Sequence, residues 1–205
     1  MSTWAIVVAA GSGTRFGERK QYLPLSGARV LDWALREPLT RCDGVVLVVP
    51  PDVVGDAEPE VTTVVAGGAT RSGSVRNGLA AVPLDARIVV VHDAARPVPV
   101  PGVWERVLAA VEAGADAAVP AILVTDTLRH VDGRPVDRDG LVAVQTPQAF
   151  RADALRAAHA SGADATDDAS LVEAAGGRVV LVEGDPANLK ITTPVDLSFA
   201  ELLCR

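Results

Sequence analysis

The sequence predicts an α/β fold built on a mainly parallel sheet with helices on both faces. Apolar, β-branched segments alternate with helical segments along all 205 residues. Most of the apolar segments are continuous rather than alternating with polar residues, which is typical of strands covered on both faces. Hydrophobic residues make up 49% of the chain but aromatic residues only 3%, so the core must be aliphatic. These observations predict a single domain over 1–205 and argue against an all-β sandwich.

Runs of small and β-branched apolar residues predict the strands, which in chain order are 5–10, 45–49, 61–65, 88–91, 117–124, 141–144 and 179–182. Helical segments are predicted between and after them, at 30–38, 72–81, 101–113, 152–160, 167–175 and 194–203. Pro101 stands at a first helical position, Gly176 follows the fifth helix, and Thr192 or Thr193 can cap the last one. The alternation of strand and helix predicts parallel neighbours joined by crossover helices.

One polar segment, 125–146, interrupts this order. Its ends resemble strands, and it contains two Asp-Gly turn signals, at Asp132-Gly133 and Asp139-Gly140. We therefore predict a β-hairpin arm that leaves the sheet. Because two hairpin strands alone are barely stable in water, we expect this arm to pack on a second copy of the chain in a homodimer.

Charge and composition exclude several classes of protein. The net charge of −7 argues against a general nucleic-acid binder and against a basic membrane-surface protein. The chain has neither a run of about 18 apolar residues nor the charged start of a signal peptide, so we expect a cytoplasmic protein. Cys42 and Cys204 have no spacing typical of a disulfide framework or a zinc site. A protein that binds small anionic substrates in a local basic pocket is still compatible with this composition.

The first chemical motif is AAGSGTR at Ala9–Arg15, followed by Lys20. A strand that opens into a glycine-rich turn lets backbone N–H groups approach phosphate oxygens. A dinucleotide site would need a glycine one residue before Gly17 and an acidic residue at the tip of the second strand. Instead, the cationic residues Arg15 and Lys20 follow the glycine-rich turn, and they favour binding of a triphosphate over a nicotinamide cofactor.

The second motif, HDAARP, follows the strand 88–91 and places Asp93 and Arg96 where ligands bind in open α/β sheets. Asp93 can hold Mg²⁺ when phosphates and water supply the other ligands. The only lysines among the 19 basic residues are Lys20 and Lys190, both in candidate phosphate-binding loops. A compact ammonium suits a crowded phosphate better than a guanidinium does.

Taken together, AAGSGTR, GGATRSGSV, HDAARP, QTPQ, TDDASLVE and NLKITTPVDL resemble, in the same order and over nearly the whole chain, the 2-C-methyl-D-erythritol 4-phosphate cytidylyltransferases. The resemblance implies a Rossmann-like domain of the nucleotide-diphospho-sugar transferase type, with a β-arm that clasps a second subunit. It implies that CTP and methylerythritol phosphate react to give the CDP-linked product and pyrophosphate. It also implies a requirement for Mg²⁺.

The resemblance implies a role for each matching residue. The catalytic residues would be Arg15, Lys20 and Lys190. CTP would be bound by Ala10, Gly11, Ser12, Gly13, Gly68, Ala69 and Ser74. The polyol phosphate would be bound by Asp93, Arg96, Thr192 and, from the neighbouring subunit's arm, Thr127 and Arg138. Asp93 would hold either the metal or a substrate hydroxyl. Family members usually have proline before the loop lysine, whereas this chain has Arg19.

Two alternatives remain open at this stage. A ribitol 5-phosphate cytidylyltransferase would share the fold and the nucleotide loop and differ in the polyol pocket. A non-catalytic nucleotide-binding dimer is the other, although intact Arg15, Lys20, Asp93 and Lys190 argue against it. The lack of a Ser, Cys or His nucleophile excludes neither transferase, because a phosphate monoester is already anionic near neutral pH.

Overall fold

The computed structural model of the chain describes residues 2–11, 13, 16–56, 58 and 60–205. Its strands are β1 (Thr3–Val8), β2 (Pro24–Leu25), β3 (Ala28–Arg29), β4 (Gly44–Val49), β5 (Thr63–Ala66), β6 (Ile88–Asp93), β7 (Ala117–Leu123), β8 (Val142–Val144), β9 (Gln148–Arg151) and β10 (Val179–Glu183). Its helices are α1 (Val30–Arg41), α2 (Arg71–Ala81), α3 (Pro101–Glu112), α4 (Ala152–His159), α5 (Asp168–Ala174) and α6 (Pro194–Leu203). Two short 3₁₀ turns cover Lys20–Tyr22 and Pro51–Val53.

The main sheet has the strand order β10-β7-β9-β6-β1-β4-β5, and β8 pairs with β7 beside this path. β1 is parallel to both β4 and β6, β4 is parallel to β5, and β10 is parallel to β7. Only β8 and β9 run antiparallel to their neighbours among the described strands of this sheet. The predicted mainly parallel sheet is confirmed. Its strand order reverses between β1 and β6, and such a switch point is where ligands bind in open α/β sheets.

Helices cover both faces of the sheet, as predicted. Ile6 of β1 packs in a cluster with side chains of α2, α4 and α5, whereas its neighbours Ala5 and Val7 pack against α1. The alternation follows from strand geometry, since successive side chains point to opposite faces. None of the helices in the described part of the chain is long and apolar enough to cross a membrane.

The base of the predicted β-hairpin is formed by the paired strands β7 and β8. Leu123 pairs with Val142, and Ala121 pairs with Val144, in antiparallel register. Farther out, a single bridge joins Arg129 to Pro135, and the rest of 124–141 forms turns and irregular backbone. The paired strands are thus shorter than the sequence predicts. Packing of this arm on a second copy stays a prediction.

Candidate active site

A cavity of about 490 Å³ lies at the carboxyl ends of β1, β5 and β6, beside the switch point of the sheet. Residues predicted from the sequence to be catalytic, or to bind nucleotide or substrate, line it together; they are Ala10, Gly11, Gly13, Lys20, Gly68, Ala69, Ser74, Asp93 and Lys190. The fold therefore brings four separate segments of the chain to one place.

The loop after β1 is held by a buried glutamine that sequence reasoning missed. Gln21 Nε2 donates to the carbonyl oxygens of Ala9 at 2.7 Å and Gly11 at 3.2 Å. Gly13 has a φ of 71°, and a Cβ there would lie 1.8 Å from the backbone oxygen of Glu18, so only glycine fits. The predicted residues Ser12 and Arg15 lie outside the described residues.

Lys20 connects this loop to the segment that contains the second lysine. Its Nζ donates to the carbonyl oxygen of Ile191 at 2.5 Å, directly after Lys190. Arg19 forms a two-point ion pair with Asp52, with N–O distances of 2.8 and 2.9 Å. This pair is exposed to solvent, and it ties the Lys20 turn to the 3₁₀ turn after β4.

The loop between β5 and α2 is closed by its own hydrogen bonds. The Ser74 hydroxyl accepts from the Gly68 N–H at 3.1 Å and donates to the Thr70 carbonyl at 3.0 Å. A Cβ on Gly68 would lie 2.7 Å from the backbone carbon of Gly73, so the close approach requires glycine. Ser74 therefore shapes the loop, while Ala69 lines the cavity beside it.

The charged centre of the cavity is Asp93, the last residue of β6. Its carboxylate accepts from Lys190 Nζ at 2.5 Å and from Arg71 Nε at 3.3 Å. Burial raises the pKa of Asp93, but the positive charges of Arg71 and Lys190 outweigh this effect and hold the pKa below its ordinary range. Asp93 is therefore ionised at neutral pH. Arg71 lies in the motif GGATRSGSV, but no site role is predicted for it from the sequence.

Arg96 is half-buried and bonded to backbone. Its Nη1 donates to the Asn188 carbonyl at 2.5 Å and its Nη2 to the Val144 carbonyl at 3.4 Å. It thus joins the segment before Lys190 to β8. His92 lies buried behind it, where burial lowers the pKa of the imidazole to about 4, so this histidine is neutral and packs as part of the core.

Thr192 is placed beside the cavity, whereas the arm residues are not. The Thr192 hydroxyl donates to the Lys190 carbonyl at 3.1 Å, and Thr193 begins α6 as its N-cap. Thr127 and Arg138 are exposed on the arm, and the Arg138 guanidinium bonds to the Thr125 carbonyl within it. Of the described residues that line the cavity, none belongs to the arm.

The donor set for a metal ion is small. Asp93 is the only carboxylate among the described residues lining the cavity, and the described part of the chain contains no group of three or more His, Cys, Asp or Glu side chains arranged to hold a metal. Mg²⁺ commonly takes one or two protein carboxylates and completes its shell with water and substrate phosphates. Each oxygen of Asp93 accepts one charged donor and keeps further lone pairs, so this carboxylate fits that mode of binding.

A glycine-rich turn, two lysines and one ionised carboxylate at the switch point of a parallel sheet define an α/β nucleotidyltransferase site. The comparison with known families agrees with this class. The family model for 2-C-methyl-D-erythritol 4-phosphate cytidylyltransferase matches residues 3–205. The chain belongs to this family.

Individual relatives span the same length. The 2-C-methyl-D-erythritol 4-phosphate cytidylyltransferase of Nocardia farcinica is 46% identical, covering 98% of this chain and 94% of its own. The crystal structure of the enzyme of that name from Thermus thermophilus superimposes with a TM-score of 0.85 at 40% identity, covering 99% of this chain and 98% of that one. A bifunctional enzyme IspD/IspF of Solidesulfovibrio magneticus is 43% identical, and the match covers 97% of this chain but 56% of that longer relative.

Proposed function

We propose that this chain transfers the cytidylyl group of CTP to 2-C-methyl-D-erythritol 4-phosphate, releasing pyrophosphate, in the biosynthesis of isoprenoid precursors. Membership of the family supports the substrate pair. The observation in the structure that supports the chemistry is the convergence of Lys20 and Lys190 on one cavity with the glycine-rich loop. The two lysines lie 170 positions apart in sequence, and the Nζ of Lys20 bonds to the carbonyl of the residue after Lys190.

The reaction needs positioning and positive charge more than it needs a protein nucleophile. A phosphate oxygen of the polyol attacks the α-phosphorus of CTP, and the bond from that phosphorus to the oxygen bridging the β-phosphate breaks. Pyrophosphate leaves with the electron pair of that bond. Negative charge concentrates on the α-phosphoryl oxygens at this point, where Lys20, Lys190 and the backbone N–H groups of the glycine-rich turn stabilise it. Arg15 would add a further cation at the same loop.

The CTP site would occupy the cavity, and the polyol site would extend from Asp93 towards Arg96 and Thr192, which are not among the described residues that line it. The Gly68, Ala69 and Ser74 loop would hold the cytosine, largely through backbone groups. Asp93, Arg96 and Thr192 would hold the polyol phosphate on the side of β6 and α6. Because Arg96 already donates to two backbone carbonyls, its remaining N–H groups are the ones available to a ligand.

The proposal includes Mg²⁺ as the metal. Asp93 would hold the ion, or a substrate hydroxyl in its place, and the phosphates of CTP would complete the shell. When bound, Mg²⁺ neutralises charge on those phosphates. The protein's own part is to keep the Asp93 carboxylate ionised and oriented, which Arg71 and Lys190 accomplish through the contacts described above.

The proposal also includes a homodimer in which the arm completes the neighbouring site. Apolar side chains are exposed on the arm and at its base, and the Leu123 side chain is 79% exposed. Thr127 and Arg138 lie on the arm rather than at the cavity of their own chain. An arm that packs on a second copy would cover the apolar side chains and bring these two residues to the partner's substrate phosphate.

Pyrophosphate release distinguishes the candidate functions. The chain is incubated with CTP and Mg²⁺ together with either methylerythritol phosphate or ribitol 5-phosphate, and pyrophosphate is measured over time. Faster release with methylerythritol phosphate by at least about tenfold in kcat/KM is expected. Faster release with ribitol 5-phosphate would establish the alternative transferase. Absence of release with both polyols would favour a non-catalytic nucleotide-binding dimer.

A further inference from the structure

Arg71 lies between two carboxylates, one inside the cavity and one behind it. Its Nε is 3.3 Å from Asp93 Oδ1, and its Nη1 is 2.7 Å from Asp168 Oδ2. Arg71 is the first residue of α2, and Asp168 is the first residue of α5, so the fold rather than the sequence brings them together. One planar guanidinium thus joins the cavity to the layer of helices beneath it.

Asp168 is fixed from behind. Its side chain is fully buried, at 0% exposure, and besides Arg71 it accepts a hydrogen bond from His159 Nε2 at 3.0 Å. His159 is the last residue of α4 and is itself buried. Donors from two different helices therefore hold the Asp168 carboxylate in one orientation, and that carboxylate holds the guanidinium.

The two cations that contact Asp93 differ in their freedom to move. The Lys190 side chain is 41% exposed and lines the cavity, whereas the Arg71 side chain is 24% exposed and is bonded to a buried carboxylate. When an anionic substrate enters, Lys190 is the cation that can exchange Asp93 for a phosphate oxygen. A buried carboxylate that lost its only partner would be strongly destabilised, so the exchange requires a second, fixed cation at Asp93.

We propose that Arg71, anchored by Asp168, is a positioning residue of the reaction. It keeps the Asp93 carboxylate ionised and oriented while Lys190 moves from that carboxylate to the substrate phosphate. Before binding, the two cations Arg71 and Lys190 face the two carboxylates Asp93 and Asp168. Once the substrate anion takes up Lys190, Arg71 remains as the cation between these two carboxylates. This inference rests on the proposed function of the cavity.

A double-mutant cycle tests whether Asp168 acts through Arg71. The wild-type chain, Asp168→Asn, Arg71→Met and the double variant are compared in steady-state pyrophosphate release with CTP and methylerythritol phosphate. We expect Asp168→Asn to lower kcat by about tenfold with less than about a twofold change in the KM for CTP. In the Arg71→Met background, Asp168→Asn should lower kcat by less than about twofold, because the guanidinium that Asp168 holds is no longer present. Losses that multiply in the double variant would overturn the proposal.

Asp164→Asn is the matched control. Asp164 lies in the connection between α4 and α5, shortly before Asp168, and accepts from Thr70 and Arg76, and both contacts are exposed. We expect its kcat to stay within about twofold of the wild-type value, since exposed pairs contribute little. A loss equal to that of Asp168→Asn would show that the connection as a whole, and not Arg71, is responsible.

Arg71→Lys keeps the test informative if Asp168→Asn does not fold. Lysine retains the charge but reaches only one carboxylate at a time, so kcat should again fall about tenfold. Wild-type kcat in Arg71→Lys would overturn the inference. Wild-type chain that releases no pyrophosphate would refute the proposed function instead, so the two failures are distinguishable.

Discussion

Removal of the Lys190 ammonium is the perturbation whose consequences the structure defines best. In Lys190→Ala, the 2.5 Å contact between Nζ and Asp93 Oδ2 is lost, and Asp93 keeps only the 3.3 Å contact with Arg71 Nε among its charged contacts described above. A hydrogen bond to a charged group contributes about 1.5–3 kcal/mol to stability. Because the Lys190 side chain is 41% exposed, solvent screening reduces this to about 1 kcal/mol.

The catalytic effect is expected to be much larger than the effect on folding. Loss of one preorganised charge at a transition state lowers kcat by about 10²–10³-fold. A loss of about 1 kcal/mol from a total stability of about 5–15 kcal/mol leaves almost all of the protein folded. Steady-state pyrophosphate release therefore separates the two effects. A Lys190→Ala variant with near-normal kcat and only a raised KM for either substrate would refute the role of this lysine in the transition state.

The same variant has a defined pH dependence of stability. The pKa of Asp93 is lowered in the folded chain, so its ion pairs stabilise the fold at neutral pH and lose that contribution as the pH falls through the folded-state pKa. With one cation removed, this pKa rises towards its ordinary range. The free energy of unfolding in urea should differ between wild type and Lys190→Ala at pH 7, and the difference should shrink below about pH 4. A difference that does not change with pH would contradict the assignment of this ion pair.

Three further outcomes follow from the loops around the cavity. Gly68→Ala places a Cβ 2.7 Å from the backbone of Gly73, at a cost of about 1–3 kcal/mol, and should raise the KM for CTP at least about fivefold. Gly55→Ala is the control, because a Cβ there has nothing within 4 Å, and its KM for CTP should not change. Equal KM values in the two variants would contradict the need for glycine at position 68. Arg19→Ala removes only an exposed pair with Asp52, so kcat should stay within about threefold of wild type, and a larger loss would mean that this pair positions the lysine turn. UTP and ATP should be poor substrates beside CTP in the same assay, because uracil reverses the hydrogen-bonding pattern of cytosine and a purine is too large; equal rates would contradict the cytosine assignment.

Much of the fold follows from local patterns in the sequence. The continuous runs in β4 and β6 and the terminal signals of α3 and α6 indicate these elements within a few residues of their bounds. The sequence does not predict β9, because Gln148–Arg151 is short and has no β-branched residue. It is a strand because β6 and β7 supply backbone partners on both of its sides, and that information is not local.

The site shows the same division. Glycines and lysines in loops after strands are visible in the sequence, and Gly68, Lys20 and Lys190 line one cavity in the structure. Arg71 lies in the motif GGATRSGSV, but nothing local shows that its guanidinium contacts Asp93. Its proximity to Asp93 and Asp168 arises only when α2 and α5 pack against the same face of the sheet.

Subunit mixing tests most directly the central claim that the cavity of one chain and the arm of a second form one active site. Arg138→Ala and Lys20→Ala are each expected to be inactive. In a mixed dimer one site has both lesions, while the other combines an intact Lys20 with the partner's intact Arg138.

About half of randomly reassembled dimers are mixed, and each has one working site of two, so activity should recover to roughly a quarter of wild type. A mixture of Lys20→Ala with Lys190→Ala is the control, because both lysines line the cavity of their own chain and no mixed dimer has an intact site. Recovery in the first mixture alone is the predicted result. No recovery in the first mixture after demonstrated subunit exchange, or equal recovery in both, would contradict the shared active site.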